Sequence, residues 1–206
     1  MAVFAVGITG GSGAPYALRL LRALLDAGHD VHLVISPAGE TILQVESGLR
    51  PGPTLREKQA NIAGAIETEH AARLRVFDPQ NLAAPISSGS FACAGMAIVP
   101  CSTGTLGRIA NGVSSNLIER AADVMLKERR PLVVVPRETP LNEIHLRNML
   151  ALRQAGADIL PAMPAFYHKP RHISDLVDMI VGRVLDRLGV ENELFHRWGG
   201  TTPAED

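Results

Sequence analysis

Two short turns in this chain carry the residue types that bind phosphate. Gly10-Gly11-Ser12-Gly13 follows the β-branched run Val3 to Ile8 and precedes Tyr16, Leu18, Leu20, Leu21, Leu24 and Leu25 at helical spacing. Ser102-Thr103-Gly104-Thr105 follows the apolar run Met96 to Pro100 and opens onto a second helical repeat. Strand, small-residue turn and helix start together make an anion site. The first N–H groups of a helix are unpaired, its dipole is positive there, and glycine lets a phosphate come close. Pro15 suits a first helical turn, which needs no N–H. The dinucleotide pattern G-x-G-x-x-G fails, because Tyr16 stands where its last glycine would be. The second strand, Val31 to Ile35, ends on Ser36 and not on the acid that would hold a ribose. No Gly-Lys-Ser/Thr follows the first turn, so the ATP-type phosphate loop fails too. Ser36 suits the phosphate or ring edge of a mononucleotide.

Other residues can do chemistry beside these turns. Arg137-Glu138 directly follow Leu132 to Pro136. The carboxyl end of a strand is the ligand-binding edge of an open α/β sheet, so the pair is a site candidate, with a salt bridge as the alternative. Ser87-Ser88-Gly89-Ser90 reads as a loop that can also offer hydroxyl and N–H donors to a phosphate. Pro161, Pro164 and Pro170 stiffen a loop around Tyr167 and so suit placement of its phenol. Arg183 rides on an amphipathic helix, Ile173 to Leu188. Glu46 closes a helix that starts at Ala38. Trp198, the only tryptophan, reads as a docking residue or as the cover of a planar ligand.

The elements that must position these groups alternate strand and helix. The pattern gives a mixed helix over Leu55 to Arg73, a short strand at Arg75 to Phe77, and a loop from Asn81 to Phe91. One long helix holds Ile109, Val113, Leu117, Ile118 and Leu126, and carries Asn116, Glu119, Arg120 and Lys127. Leu132 to Pro136 is almost purely β-branched and reads as a central parallel strand. A helix over Asn142 to Gln154, with His145 and Asn148 as structural residues, and a strand over Ala157 to Leu160 follow. The whole reads as one α/β domain over residues 1–206, whose two turns converge at a topological switch point.

With 206 residues, 46% apolar and 20% charged, the chain can bury a core. A net charge of −1 and 4% aromatics argue against a nucleic-acid binder. No apolar run reaches the ~18 residues of a membrane span. The chain enters a strand at once, without a signal segment. Cys93 and Cys101 form neither a disulfide framework nor a CxxC site and read as free thiols of a cytoplasmic protein.

The ordered set Gly7 to Tyr16, Ser88 to Ser90, Val99 to Thr105, Asn116 to Asp123, Leu126 to Pro131, Val135 to Glu138, Pro164 to Pro170 and Arg197 to Gly199 resembles the UbiX-like flavin prenyltransferases, once described as aromatic acid decarboxylases. The resemblance implies a three-layer, flavodoxin-like Rossmann fold with a mostly parallel sheet. It implies FMN as cofactor, a homododecamer with sites between subunits, and a tail (190–206) packing on a neighbour. The activity implied is transfer of a dimethylallyl group from dimethylallyl monophosphate to N5 and C6 of reduced FMN. Prenylated FMN then serves a UbiD-type decarboxylase in ubiquinone biosynthesis or another pathway. No metal is implied, and the chain has no D-D-x-x-D run for a magnesium diphosphate. By position, Gly10, Gly11, Ser12, Ser36, Ser102, Thr103, Gly104, Thr105 and Arg137 would hold FMN. Ser88, Gly89, Ser90, Arg120, Lys127, Tyr167 and Arg183 would surround the prenyl phosphate. Ser12, Glu46, Glu138 and Trp198 would line the reacting centre. Two alternatives remain: an FMN-dependent cysteine decarboxylase of the phosphopantothenoylcysteine type, which would want a Pro-Ala-Ser/Thr-Ala-Asn-Thr run where Pro100-Cys-Ser-Thr-Gly-Thr105 stands, and a flavin carrier without chemistry.

Overall fold

The computed structural model describes residues 1–199. Six parallel strands form one sheet in the order β3-β2-β1-β4-β5-β6. They are β1 (Val3–Ile8), β2 (Asp30–Ile35), β3 (Leu74–Phe77), β4 (Gly95–Cys101), β5 (Leu132–Pro136) and β6 (Asp158–Ile159). Every pairing is parallel, from Val3 opposite Asp30 to Val134 opposite Ile159. Strand order reverses between β1 and β4, so the carboxyl ends of these two strands flank the crevice where such sheets bind ligands. β5 is fully buried and parallel as its composition predicts, yet it lies next to the edge; β1 and β4 are the central pair.

Among the described residues, seven α-helices cover the two faces: α1 (Ala14–Asp26), α2 (Pro37–Ser47), α3 (Leu55–Ala65), α4 (Thr103–Ala110), α5 (Leu117–Lys127), α6 (Glu143–Ala155) and α7 (Ile173–Leu188). Alternation along the strands builds two cores. Phe4, Val6, Ile8, Val133 and Val135 face α1 and α7, with Leu43 of α2 and Ile62 of α3 in the same cluster. Ala5, Met96, Ile98, Leu132 and Val134 face α4, α5 and α6. This is the three-layer, flavodoxin-like architecture expected.

Two helices are shorter than their patterns suggest. The run from Leu55 ends at Ala65; Glu67 has φ 50, and a separate single turn at Ala71–Arg73 precedes β3. The expected long helix after β4 is two, α4 and α5, broken around Gly112 at φ 69. The break is held by a buried carboxylate. Glu119, wholly inaccessible, accepts from the Ser115 N–H at 2.9 Å and its hydroxyl at 2.6 Å, and pairs with Arg108 at 2.5 Å. Burial pushes this carboxyl up, but the Ser115 and Arg108 contacts outweigh it and hold it below the usual range. After α7 the tail packs on its own chain as far as it is described. Phe195 lies over Gly182, where an added Cβ would meet its ring at 2.6 Å, and Arg197 pairs with Asp186 at 2.7 Å. Residues 200–206 lie outside the described residues.

Candidate active site

The carboxyl edge of the sheet gathers Ser12, Ser36, Ser102 and Arg137 onto consecutive turns, after β1, β2, β4 and β5. One residue that the sequence did not single out locks the central two together. Thr9, 1% exposed, donates its hydroxyl to Pro100 O at 2.9 Å and accepts from the Ser102 N–H at 2.7 Å. The glycines serve this packing more than a ligand's approach. A Cβ on Gly10 would stand 2.7 Å from Ala38 Cβ, and one on Gly11 3.3 Å from the Cys101 backbone. Gly13 needs its freedom for a different reason, a φ of 133.

The two turns differ in what their helices offer. At α1 the N–H groups of Gly13 and Ala14 donate to Glu46 Oε2 at 2.9 and 2.8 Å. A carboxylate from α2 therefore already fills the anion position of the first turn. Partial burial raises the Glu46 carboxyl, but the Ser12 hydroxyl, those two N–H groups and the Arg137 charge prevail and hold it below the usual range. At α4, Ser102 is the N-cap: its hydroxyl accepts from the Thr105 N–H at 3.3 Å and donates to Thr105 Oγ1 at 3.0 Å. The N–H groups of Thr103 and Gly104 have no partner among the described residues. Gly104 is exposed, and a Cβ there would meet only Arg108 Nη1, at 3.5 Å. Ser36 likewise caps α2, accepting from the Gly39 N–H at 3.1 Å, which leaves its proton for a ligand. The open N–H groups at the second turn and the free Ser36 proton are donors that can bind a phosphate or a ring edge.

Arg137 donates to Ser12 O at 3.4 Å, so the β5 edge reaches across β4 to the first turn. Glu138 is half-buried beside it, accepts from the Thr139 N–H at 3.0 Å, and lines a cavity of about 220 Å³ with Met149 and Pro161 to Met163. Tyr16, half-buried under Arg137, is a member of this surface that its sequence position does not reveal. Burial raises its phenol, and the Arg137 charge offsets only part of that. Across the Pro161 loop, Tyr167 and Trp198 meet edge to face with ring centroids 5.5 Å apart. Asp186 gathers the cations next to them: Arg197 binds it through two nitrogens, at 2.7 and 2.9 Å, and Arg183 lies at 3.9 Å.

The remaining predicted residues form a second group. Arg120, one turn into α5, donates to Ser87 O at 3.1 Å and pairs with Asp123 at 2.8 Å. Ser88 and Ser90 join hydroxyls at 2.9 Å, and Lys127 Nζ stands 2.6 Å from where a Cβ on Gly89 would be. Arg130 pins this segment by donating to Gly89 O and Phe91 O, both at 2.7 Å. Arg130 precedes β5, so Gly89 and Lys127 sit toward the amino edge of the sheet, opposite Arg137. Within one chain, then, Lys127 and Gly89 lie on the opposite edge from Tyr167 and Arg183, with Arg120 at the start of α5. Both thiols are buried, and burial pushes Cys101 up to about 12.

The Flavoprotein family model matches residues 3–185. A flavin prenyltransferase UbiX of Alkalihalophilus pseudofirmus is 51% identical over 198 residues, 96% of each chain. That of Pseudomonas aeruginosa is 48% identical over 194 residues, 94% of this chain and 92% of its own. Among solved structures, AnUbiX in complex with FMN and dimethylallyl pyrophosphate superposes with a TM-score of 0.87 at 43% identity, covering 98% of this chain and 99% of that one. A dodecameric FMN-dependent UbiX-like decarboxylase from Escherichia coli O157:H7 gives 0.83 at 42% identity, covering 96% and 100%. A PPC decarboxylase complexed with pantothenoylaminoethenethiol gives 0.57 at 15% identity, a likeness of fold alone.

Proposed function

The chain belongs to the Flavoprotein family, among the UbiX flavin prenyltransferases, and on that premise we propose that it moves a dimethylallyl group from dimethylallyl monophosphate onto N5 and C6 of reduced FMN. FMN is the cofactor, and the enzyme is a prenyltransferase. The observation that carries the assignment of its site is the Glu46 carboxylate on the first turn. With that anion seat filled, the open N–H groups of Thr103 and Gly104 take the FMN phosphate, and Ser12, Ser36 and Arg137 hold the ring. Bound reduced FMN supplies the electron-rich acceptor for the prenyl carbon.

The chain's own residues supply what a monophosphate leaving group needs. Charge builds on the phosphate as its C–O bond breaks, and aimed cations and hydroxyls stabilise it. Arg183 and Tyr167 offer these from the Pro161 side. Lys127 and Gly89 lie toward the other edge, so a second copy of the chain brings them, with Arg120, Ser88 and Ser90, to the same phosphate. The dodecameric relative supports such an assembly. Trp198, edge to face with Tyr167, walls the prenyl group from water. Glu138 sits where a carboxylate can accept the proton released as the new ring closes. A UbiD-type decarboxylase receives the product. Two buried free thiols suit a reducing compartment, and we place the reaction in the cytoplasm. Mixing the protein with reduced FMN and dimethylallyl monophosphate without oxygen, then weighing the extracted flavin, tests the reading. Gain of one prenyl group is expected; recovery of FMN alone under turnover conditions overturns it.

A further inference from the structure

Arg108 and Glu119 hold a guanidinium at the second turn, yet neither has a part in the binding of FMN proposed so far. Arg108 lies four residues after Gly104 on α4, which puts the two on one helix face, and helical side chains lean back toward the helix start. The guanidinium therefore reaches the turn that carries the open Thr103 and Gly104 N–H groups. A Cβ on Gly104 would stand 3.5 Å from Arg108 Nη1, so the glycine keeps clear the space between the cation and the backbone donors. Thr103, Gly104 and Arg108 line one hollow of about 450 Å³, to which α6 adds His145 and Asn148. No acid lines it among the described residues.

The guanidinium is fixed before any ligand arrives. Its Nε donates to Glu119 Oε1 at 2.5 Å, and its Nη2 donates to Thr105 Oγ1 at 3.3 Å. Glu119 is wholly buried, and Ser115 takes its other oxygen through both N–H and hydroxyl. An arginine pinned in this way has little rotamer freedom left to lose on binding. Both N–H groups on Nη1 and the second on Nη2 have no partner among the described residues. Such a fork matches the paired oxygens of a phosphate. Glu119 engages Nε, so it sets the direction of the fork without occupying Nη1. The two side chains together carry no net charge. What they add is aimed donors at short range, on a turn whose N–H groups already favour an anion.

We propose that Arg108, positioned by Glu119, binds the FMN phosphate and makes this chain select the phosphorylated flavin over riboflavin. The inference rests on the placement of that phosphate at the Thr103 and Gly104 N–H groups made above. It also gives the break between α4 and α5 a purpose, because the turn around Gly112 is what brings Glu119 back against Arg108.

Fluorescence titration of the full chain, freed of flavin, with FMN and with riboflavin isolates the share of binding that the phosphate supplies. The unaltered protein should bind FMN at least about a hundredfold more tightly than riboflavin. Arg108→Lys keeps a cation beside Glu119 but loses the fork, and Glu119→Gln keeps the shape but releases the guanidinium. Each should lower the preference for FMN about threefold, while riboflavin affinity moves less than about twofold. Arg108→Gln combined with Glu119→Gln leaves no buried charge unpaired and should lower the preference about tenfold. Thermal melting shows that each variant is folded. Equal affinities for the two flavins in the unaltered protein, a preference unmoved by all three variants, or a parallel fall in both affinities overturns the role of Arg108. The unaltered protein also receives reduced FMN and dimethylallyl monophosphate without oxygen. Prenylated flavin together with an unmoved preference overturns the Arg108 inference alone, whereas no prenylated flavin overturns the proposed function.

Discussion

Replacing Glu46 with alanine separates two roles that the first turn can play. In the structure its carboxylate accepts two N–H bonds, at 2.8 and 2.9 Å, at the start of the thirteen-residue helix α1. A lost N-cap costs about 0.5–2 kcal/mol, and a carboxylate at a helix start adds about 0.3–1 kcal/mol. Glu46 is solvent-exposed, so the lower half of that sum applies, about 1–2 kcal/mol. For a chain of this length each kcal/mol moves the melting temperature by roughly 2–4 °C, giving a drop of about 4 °C at pH 7. The folded carboxyl titrates below its unfolded value. Its contribution is therefore complete above the unfolded pKa of about 4.3 and fades as pH falls through the lower folded value. Calorimetric melts from pH 7 downward should show the gap between variant and parent closing only below about pH 4. Flavin fluorescence titration completes the test. With the phosphate at the second turn, Glu46→Ala should keep FMN affinity within about threefold. A variant that melts like the parent, or binds FMN tenfold more tightly because a competing anion has left, refutes the reasoning.

Thr9→Val keeps the shape and the Thr9 N–H bond to Pro100 O but removes the hydroxyl bridge between β1 and the turn after β4. The half-buried Ser102 N–H loses its acceptor at about 1 kcal/mol, and both the melting temperature and FMN affinity should fall. Gly10→Ala should destabilise by about 1–3 kcal/mol, because the new methyl lands 2.7 Å from the Ala38 Cβ. Gly11→Ala, at 3.3 Å from backbone, needs a shift of only a few tenths of an ångström and should melt higher than Gly10→Ala. Cys101, fully buried with its thiol at about 12, should resist disulfide reagents at pH 8 in the native protein and react once denaturant is added.

Strand runs and the helix starts after Ser36 and Ser102 are legible because short-range signals coincide there: an apolar strand run, then a hydroxyl, then helical spacing. The break between α4 and α5 is not, because apolar spacing continues through Ile109, Val113 and Leu117 while Gly112 and the Glu119 carboxylate turn the chain. A lone Glu with Ser four residues before it gives a weak signal, and its burial depends on Arg108 from another helix. The end of α3 hides for a like reason, since residues 66–73 stay polar and helix-compatible. At the site, the type and strand-end position of Ser12, Ser102 and Arg137 can be read directly. The role of Glu46 cannot. Its partners lie 32 and 33 residues away, and only the parallel pairing of β1 with β2 brings α2 beside the first turn. Thr9 escapes notice because a threonine after a strand is ordinary until its two partners, 91 and 93 residues distant, are placed.

The division of the prenyl-phosphate residues between the two edges of the sheet has a genetic meaning. In the proposed assembly, lesions at Lys127 or Ser90 and lesions at Tyr167 or Arg183 should damage different halves of a shared site. Two such defective copies, expressed together, assemble some sites from an intact half of each. The gene's loss-of-function alleles then fall into two classes that rescue one another across classes and never within one.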